Sequence, residues 1–221
     1  MRISVVIPAF NAARTLGETL ASVHAQTRPA DEIVVVDDGS TDETAAIAAA
    51  DPAVRLIRQA NAGAAAAANA AIAASSGDAV ALIDADDLWV EDKLRIQARA
   101  LTEAPGVDGV FGHFEEFVCP SLPEAERARF EPRDAQPGWL GGALLVRRQV
   151  FDRVGGLDAE LRSSQFIDWM DRARAAGVVW SMRPELVLRR RLHPGSLSHR
   201  SAGRDRDMIA MARLALQRRR T

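Results

Sequence analysis

Four short apolar runs, each followed by a helical pattern, constrain this chain more than any other feature. The runs are Ile3–Ile7, Glu32–Val36, Val54–Arg58 and Ala79–Ile83. Three of the four are almost continuously apolar, as strands covered on both faces tend to be. Between them, Ala13–Gln26, Asp42–Ala50 and Ala64–Ser75 carry helical patterns, and Val90–Leu101 follows the last run as a fourth helix. Strands alternating with helices over short connections predict a parallel sheet covered by helices. The expected fold class is therefore α/β, a Rossmann-like, mostly parallel sheet flanked by helices in a single domain. Ligands of such sheets bind beyond the carboxyl ends of the strands.

Those ends are unusually polar or backbone-permissive. The first run leads into "PAFN" (Pro8–Asn11), the second into "DDGSTDET" (Asp37–Thr44), the third to "NAGAAAAAN" (Asn61–Asn69) and the fourth into "DADD" (Asp84–Asp87). Three carboxylates within four positions at the edge of a core repel one another unless something positive meets them. If the backbone stays extended, Asp84 and Asp86 point to one side and can share a divalent cation with waters and a phosphate. Helix capping by Asp87 explains one acid but not three, so the pattern favours a metal. At the second end, Gly39 permits a tight turn, and Ser40 or Thr41 caps the next helix. That capping accounts for Gly39 through Glu43 and leaves Asp38 free to accept a hydrogen bond from a base, such as the N–H of a uracil ring, which the local pattern alone does not decide. Phe10 reads as core or as a stacking platform. Asn69 in mid-helix has a local task, and a structural one is favoured.

Composition excludes several classes. The 221 residues suffice for one sizeable domain. The formal net charge of −2 gives no global field for nucleic acid or anionic membrane. Cys119 is the only cysteine, so no internal disulfide forms. Lys93 is the only lysine. The amino-terminal run reads as a strand rather than a leader peptide, and no run reaches the ~18 apolar residues of a membrane span. A cytoplasmic location is expected, with peripheral contact at the inner membrane face and a homodimer left open.

The second half is less regular. Val107–Val118 reads as one bent or paired strand and Pro120–Gly138 as a surface loop. Gly141–Val154 reads as a small-residue turn, an apolar segment at Ala143–Val146 and a short helix. Ser164–Ala176 reads as a helix, and Val178–Met182 and Leu186–Arg191 as two strands. Asp205–Arg219 reads as an amphipathic tail helix. His193 opens a Pro-Gly turn beside the Arg189–Arg191 run, which is either solvated or attends a diphosphate. Within the helix, Asp168 and Arg172 have the spacing of an i,i+4 ion pair.

Taken together the pieces resemble a family-2, GT-A-type glycosyltransferase. The resemblance rests on "VVIPAFNAARTLGETLASVHAQT" (Val5–Thr27), "EIVVVDDGSTDET" (Glu32–Thr44), "NAGAAAAANAAIAASSGDAVALIDADD" (Asn61–Asp87) and "GALLVRRQVFDRVGGLD" (Gly142–Asp158). "RARAAG" (Arg172–Gly177) and "RRLHPGSLS" (Arg190–Ser198) add to it. It implies a GT-A domain over 1–203, with a nucleotide-sugar half at 1–104, an acceptor half at 105–203 and a tail at 204–221. It implies metal-dependent, inverting transfer of a sugar from a nucleotide-sugar, most often a uridine diphosphate sugar, to an acceptor hydroxyl. Pro8, Phe10, Asn11, Asp38, Asn61, Asp84, Ala85 and Asp86 are then expected at the nucleotide-sugar. Asp84, Asp86 and His193 are expected at Mn²⁺ or Mg²⁺. The acceptor stays open among a lipid carrier, a glycan, a small molecule and a peptide. It is expected to enter over Trp139, Gly141, Gly142 and the helix of Asp168 and Trp169.

The chain departs from the family pattern at Ala68, where an arginine is frequent. It departs again at Gln165-Phe166, where an acidic pair holding the catalytic base is usual. Asp168 becomes the expected base in its place. Two further readings follow: a nucleotide-sugar-binding protein of the same fold without turnover, and a phosphotransfer or nucleotidyltransfer enzyme. No P-loop and no G-x-G-x-x-G follows the first strand, which weighs against the last.

Overall fold

The computed structural model describes residues 1–161 and 164–196. The expected tail helix, and Ser198 of the last motif, lie outside the described residues. In chain order the elements are β1 (Ile3–Ala9), α1 (Leu16–His24), β2 (Glu32–Asp37), α2 (Thr44–Ala50), β3 (Val54–Arg58), α3 (Ala64–Ala74) and β4 (Ala79–Leu82). Then come β5 (Leu88–Trp89), α4 (Lys93–Glu103), β6 (Gly109–Val118), α5 (Glu124–Arg127) and β7 (Gln136–Pro137). A 3-10 turn (Gly141–Ala143), β8 (Leu144–Arg147), α6 (Gln149–Val154), α7 (Gln165–Ala175) and β9 (Trp180–Leu192) complete the chain.

The strands form one sheet in the order β3-β2-β1-β4-β8-β6-β9-β5, with β7 paired to β6. The first four strands pair in parallel, as alternation with helices requires. Beyond β4 the sheet is mixed: β8 runs antiparallel to β4 and β6, β9 parallel to β6, and β5 antiparallel to β9. β5 rests on α1, where the Trp89 N–H donates to Ser22 Oγ at 3.1 Å. The central strands β1, β2 and β4 are buried almost throughout, whereas β3 alternates as an edge strand does. Alanines on α3 (Ala65, Ala67, Ala68 and Ala71) are buried, and their small side chains let that helix lie close on the sheet.

Three segments differ from the sequence expectation. The two strands expected at Val178–Met182 and Leu186–Arg191 are one strand, β9. Pro184 cannot donate to a ladder, and the register against β6 shifts beside it, between Phe111 and His113 and again between His113 and Phe114. The bulge absorbs the proline without ending the strand. The fourth helix starts at Lys93 instead of Val90, because Leu88 and Trp89 pair with Leu188 and Arg189 of β9. The expected loop at Pro120–Gly138 holds one helical turn, α5, and the short strand β7.

Asn69 has the structural task the sequence favours. Its Nδ2 donates to Leu157 O and its Oδ1 accepts the Leu157 N–H, both at 2.8 Å. A Cβ on Gly156 would lie 2.5 Å from that Oδ1. Gly156→Ala is therefore expected to cost about 1–3 kcal/mol of stability. In urea unfolding, the same change in an Asn69→Ala background should cost less, because the clash partner is gone.

Candidate functional site

The carboxyl ends of β1, β2 and β4 meet on one edge, and the far end of β9 joins them. The acidic segment at the end of β4 is the most distinctive part. Extended backbone is not what gathers its acids. The chain turns, the Asp87 N–H donating to Asp84 O at 3.1 Å. This turn brings one carboxylate oxygen each from Asp84, Asp86 and Asp87 within 4.8 Å of one another. Asp87 caps no helix; it is buried, and its Oδ1 accepts the Arg191 backbone N–H at 2.8 Å. Ala85, between the outer pair, is buried, and its carbonyl accepts from Thr15 Oγ1 at 2.9 Å.

The cluster carries the electrostatic cost that such crowding implies. Asp84 keeps an open side, yet desolvation first and the charge of Asp86 second push its pKa up to about 6, with Arg190 pulling the other way. Desolvation and both neighbouring carboxylates push Asp87 up as well. Three hard oxygen donors at this spacing fit a hard divalent cation such as Mg²⁺ or Mn²⁺, which would offset the crowding that raises Asp84 and Asp87. The sign of the pH effect follows. A carboxyl whose folded pKa exceeds its unfolded value binds more protons in the folded state, so its contribution to stability falls as pH rises between the two. For Asp84 that window runs from its ordinary 3.8 to about 6. In chelator, the melting temperature of wild type relative to Asp84→Asn is expected to fall between about pH 4 and about pH 6. Thermal melts of the two proteins across that range check it.

His193 reaches this turn from the end of β9. Its Nε2 lies 2.9 Å from Asp86 Oδ2, and its Nδ1 accepts the Gly195 N–H at 3.2 Å. An accepting Nδ1 leaves the ring proton on Nε2, so the imidazole donates to Asp86. The neighbouring arginines do not stand free. Arg189 pairs with Glu115 at 2.7 Å and Arg190 with Glu116 at 3.3 Å. Arg191 is 2% exposed and joins several parts of the edge. Its Nε donates to Asp86 O at 2.7 Å, its Nη2 pairs with Glu18 at 2.6 Å, and its guanidinium lies 4.8 Å from the Phe117 ring. Sequence reading treated this run as solvated or diphosphate-facing and missed Arg191 as the pin between β9 and the acidic turn. The signal was strand period: Arg189 and Arg191 share a face, and both lie over Phe117.

On the other side the loops after β1, β2 and β3 are stitched together. Asn11 adopts a left-handed φ of 49°, which asparagine tolerates. Its N–H donates to Ser40 Oγ at 2.9 Å and its Oδ1 accepts the Thr41 N–H at 2.9 Å. Phe10 is 51% exposed, so it is no core residue, and Pro8 beside it is half-buried. Asn61 Nδ2 donates to Asp38 O at 2.9 Å. Gly39 has a φ of +76°, and a Cβ there would lie 2.8 Å from the Asn61 backbone nitrogen.

Asp38 is 2% exposed. Its Oδ1 accepts Gln59 Nε2 at 2.7 Å and the Ala62 N–H at 2.9 Å; its Oδ2 accepts the Gly63 N–H at 2.8 Å. Two carboxylate oxygens offer about four acceptor positions, so three go to the loop and one remains. These partners lie after β3, so the Asp38 carboxylate ties the β3 loop to the end of β2, and the Ser40 N–H of the Gly39 turn goes to Asp37 instead. Asp38→Asn puts an NH₂ group where a carboxylate oxygen met an N–H. It is expected to cost about 2–3 kcal/mol in urea unfolding.

Trp139, just before the Gly141–Ala143 turn, is 53% exposed and tilted on Phe111 with ring centroids 4.9 Å apart. Trp169, which the sequence also offered as a sugar platform, is fully buried and stacks on Phe151 and Phe166. Asp168, the expected base, is 3% exposed and pairs with Arg172 at 2.8 Å. Arg172 also donates to Val154 O and Gly156 O, tying α7 to the end of α6. The helix starts at Gln165, not at Asp168, so Asp168 takes the ion-pair role its spacing offered.

Comparison with known proteins places this geometry. A family model described as glycosyl transferase family 2 matches residues 4–155. An uncharacterized glycosyltransferase of Nostoc sp. is 41% identical over 120 residues, which are 52% of this chain and 37% of that protein. A UDP-Glc:alpha-D-GlcNAc-diphosphoundecaprenol beta-1,3-glucosyltransferase of Escherichia coli is 32% identical over 116 residues, 51% of this chain and 46% of that protein. Among solved structures, S. aureus TarS 1-349 in complex with UDP-GlcNAc has a TM-score of 0.73 at 21% identity, covering 90% of this chain and 61% of that one. A mannosyltransferase from Pyrobaculum calidifontis in complex with GDP-Man and Mn2+ also has a TM-score of 0.73, at 22% identity, covering 98% and 64%. In each case the chain spans less than two thirds of the other protein. The two solved structures share its fold.

Proposed function

The chain belongs to glycosyl transferase family 2, and from that premise we propose that it moves a sugar from a nucleoside diphosphate donor to an acceptor hydroxyl, with Mn²⁺ or Mg²⁺ at the Asp84–Asp86 turn. The observation that carries this reading is the turn itself, three carboxylates within 4.8 Å at a strand end, on the edge where ligands of such sheets bind. The relatives support the donor class. One is named for UDP-Glc, one neighbour is solved with UDP-GlcNAc and another with GDP-Man and Mn2+. A uridine donor is the first expectation, and the lipid-linked acceptor named for the E. coli relative makes a lipid carrier the first acceptor class to test. Among the described residues no helix is long and apolar enough to cross a membrane.

In this reading Asp84 and Asp86 hold the cation, which supplies charge stabilisation to the departing diphosphate. His193 keeps Asp86 oriented through its Nε2, and Arg191 fixes the turn through the Asp86 carbonyl and the Asp87 carboxylate. Asp38, Asn11 and Asn61 shape the nucleoside edge, with Pro8 and Phe10 bordering the base. Trp139 offers its face to an acceptor sugar. Asp168 serves as base only when Arg172 releases it. That ion pair, with Phe166 where the family has an acid, favours a second reading: a nucleotide-sugar-binding protein without turnover. A thermal-shift panel of uridine and guanosine diphosphate sugars, with and without Mn²⁺, tests the common core. Stabilisation by a donor only in the presence of metal is the expected pattern. Stabilisation by no nucleotide sugar under either condition overturns it.

A further inference from the structure

Three buried side chains with polar donors follow the acidic turn in the chain, outside the set that faces the nucleotide edge. Trp89 Nε1 donates to Gly142 O at 2.9 Å, Gln97 Nε2 to Ala143 O at 2.8 Å, and Lys93 Nζ to Leu144 O at 3.1 Å. Three successive carbonyls, at the 3-10 turn and the start of β8, are thus each taken by a different side chain from β5 and α4. The three donors are also joined to one another. Lys93 Nζ donates to Gln97 Oε1 at 2.5 Å and lies 4.5 Å from the centre of the Trp89 ring, while Gln97 Nε2 also reaches Val110 O at 2.9 Å. Lys93 and Gln97 are 0% exposed.

Burying an amine and an amide is costly, and a shape-matched apolar trio would avoid that cost only by taking their donors from three buried carbonyls. What the polar trio adds is direction. Each donor fixes one carbonyl. The fixed segment begins two residues after Trp139, and Trp89 stands two residues after Asp87. On its other side Gly142 lies so close to Leu188 of β9 that a Cβ would meet that side chain at 3.1 Å.

We infer that Trp89, Lys93 and Gln97 are positioning residues for sugar transfer: they hold the Gly141–Leu144 segment, and with it Trp139, in fixed register with the Asp84–Asp87 turn, so that an acceptor on Trp139 meets the donor. The inference rests on the transfer reading above. Its test separates the acceptor side from the donor side. Trp89→Phe keeps an aromatic ring but deletes the N–H together with part of the indole, so a general packing loss is expected beside the local one; Lys93→Met keeps the length and deletes the amine, and is the cleaner variant. Amide hydrogen exchange of residues 138–146 is expected to quicken about tenfold in either variant. In Lys93→Met, exchange in β1 and β4 should stay as in wild type, and the affinity for UDP with Mn²⁺ should stay within about threefold. Release of UDP from UDP-glucose to water should persist at the wild-type rate. Transfer from UDP-glucose to a GlcNAc-diphosphate lipid should fall about tenfold relative to hydrolysis, whereas a merely structural clamp leaves that ratio as in wild type and overturns the positioning role. Unchanged exchange at 138–146, or a uniform rise across the sheet in Lys93→Met, overturns the inference. Failure of wild type to bind UDP with Mn²⁺ counts against the donor site alone, and the exchange pattern still judges the clamp.

Discussion

Replacing Asp86 with asparagine is expected to lower kcat/KM for sugar transfer by about a thousandfold or more, while raising the stability of the protein in chelator. The loss follows from the work assigned to the cation. Charge stabilisation of a leaving diphosphate is worth several kcal/mol, and each 1.36 kcal/mol is about tenfold in rate. The gain follows from the same cluster. Asp86 is the neighbour whose charge pushes up both Asp84 and Asp87, so an amide there relieves two repulsions at once. His193 can still donate to the amide oxygen, so the local shape is kept. Melts in chelator and in Mn²⁺, with and without UDP, read both effects. If UDP still stabilises Asp86→Asn in a manganese-dependent way, Asp86 is not the ligand and the acidic turn is structural.

The second large effect is expected at Asp168. On the transfer reading, Asp168→Asn removes the proton acceptor and lowers kcat by about a hundredfold or more, with UDP affinity unchanged. The structure makes this a sharp test, because Asp168 lies buried against Arg172. An amide keeps a contact with Arg172 but not the charge, so a stability loss of about 1–3 kcal/mol is expected alongside. The two losses separate by kinetics. A base leaves a pH profile in which wild-type kcat falls on the acid side while the variant is flat. An ion-pair anchor leaves turnover per folded molecule unchanged. The second outcome, together with no UDP release from wild type in any acceptor mixture, establishes binding without turnover.

Much of the polar strand-end edge was legible in the sequence because strand ends are local. Apolar runs Ile3–Ile7, Glu32–Val36 and Ala79–Ile83 mark where β1, β2 and β4 lie, and whatever follows them must stand at the edge. That places Asn11, Asp38, Asp84 and Asp86 without any knowledge of packing. His193 was within reach for the same reason, since it follows a strand-like run. The tryptophans were less legible. Trp139 and Trp169 look alike as residues, yet one is 53% exposed and the other is fully buried. The ion-pair spacing of Asp168 and Arg172 was visible, but only packing of α7 against the end of α6 shows that Arg172 is also committed to two carbonyls.

The sequence by itself determined the parallel half of the sheet, the polar strand ends that meet on one edge and the concentration of acids there, because each depends on residues within a few positions of one another. Tertiary structure alone decided that a turn, and not an extended strand, gathers those acids. It alone pinned them to β9 through Arg191 and aligned Trp89, Lys93 and Gln97 with three consecutive carbonyls. These contacts join residues some fifty to a hundred positions apart. No local pattern encodes such distances; they are set when the curled sheet brings β5, β8 and β9 together.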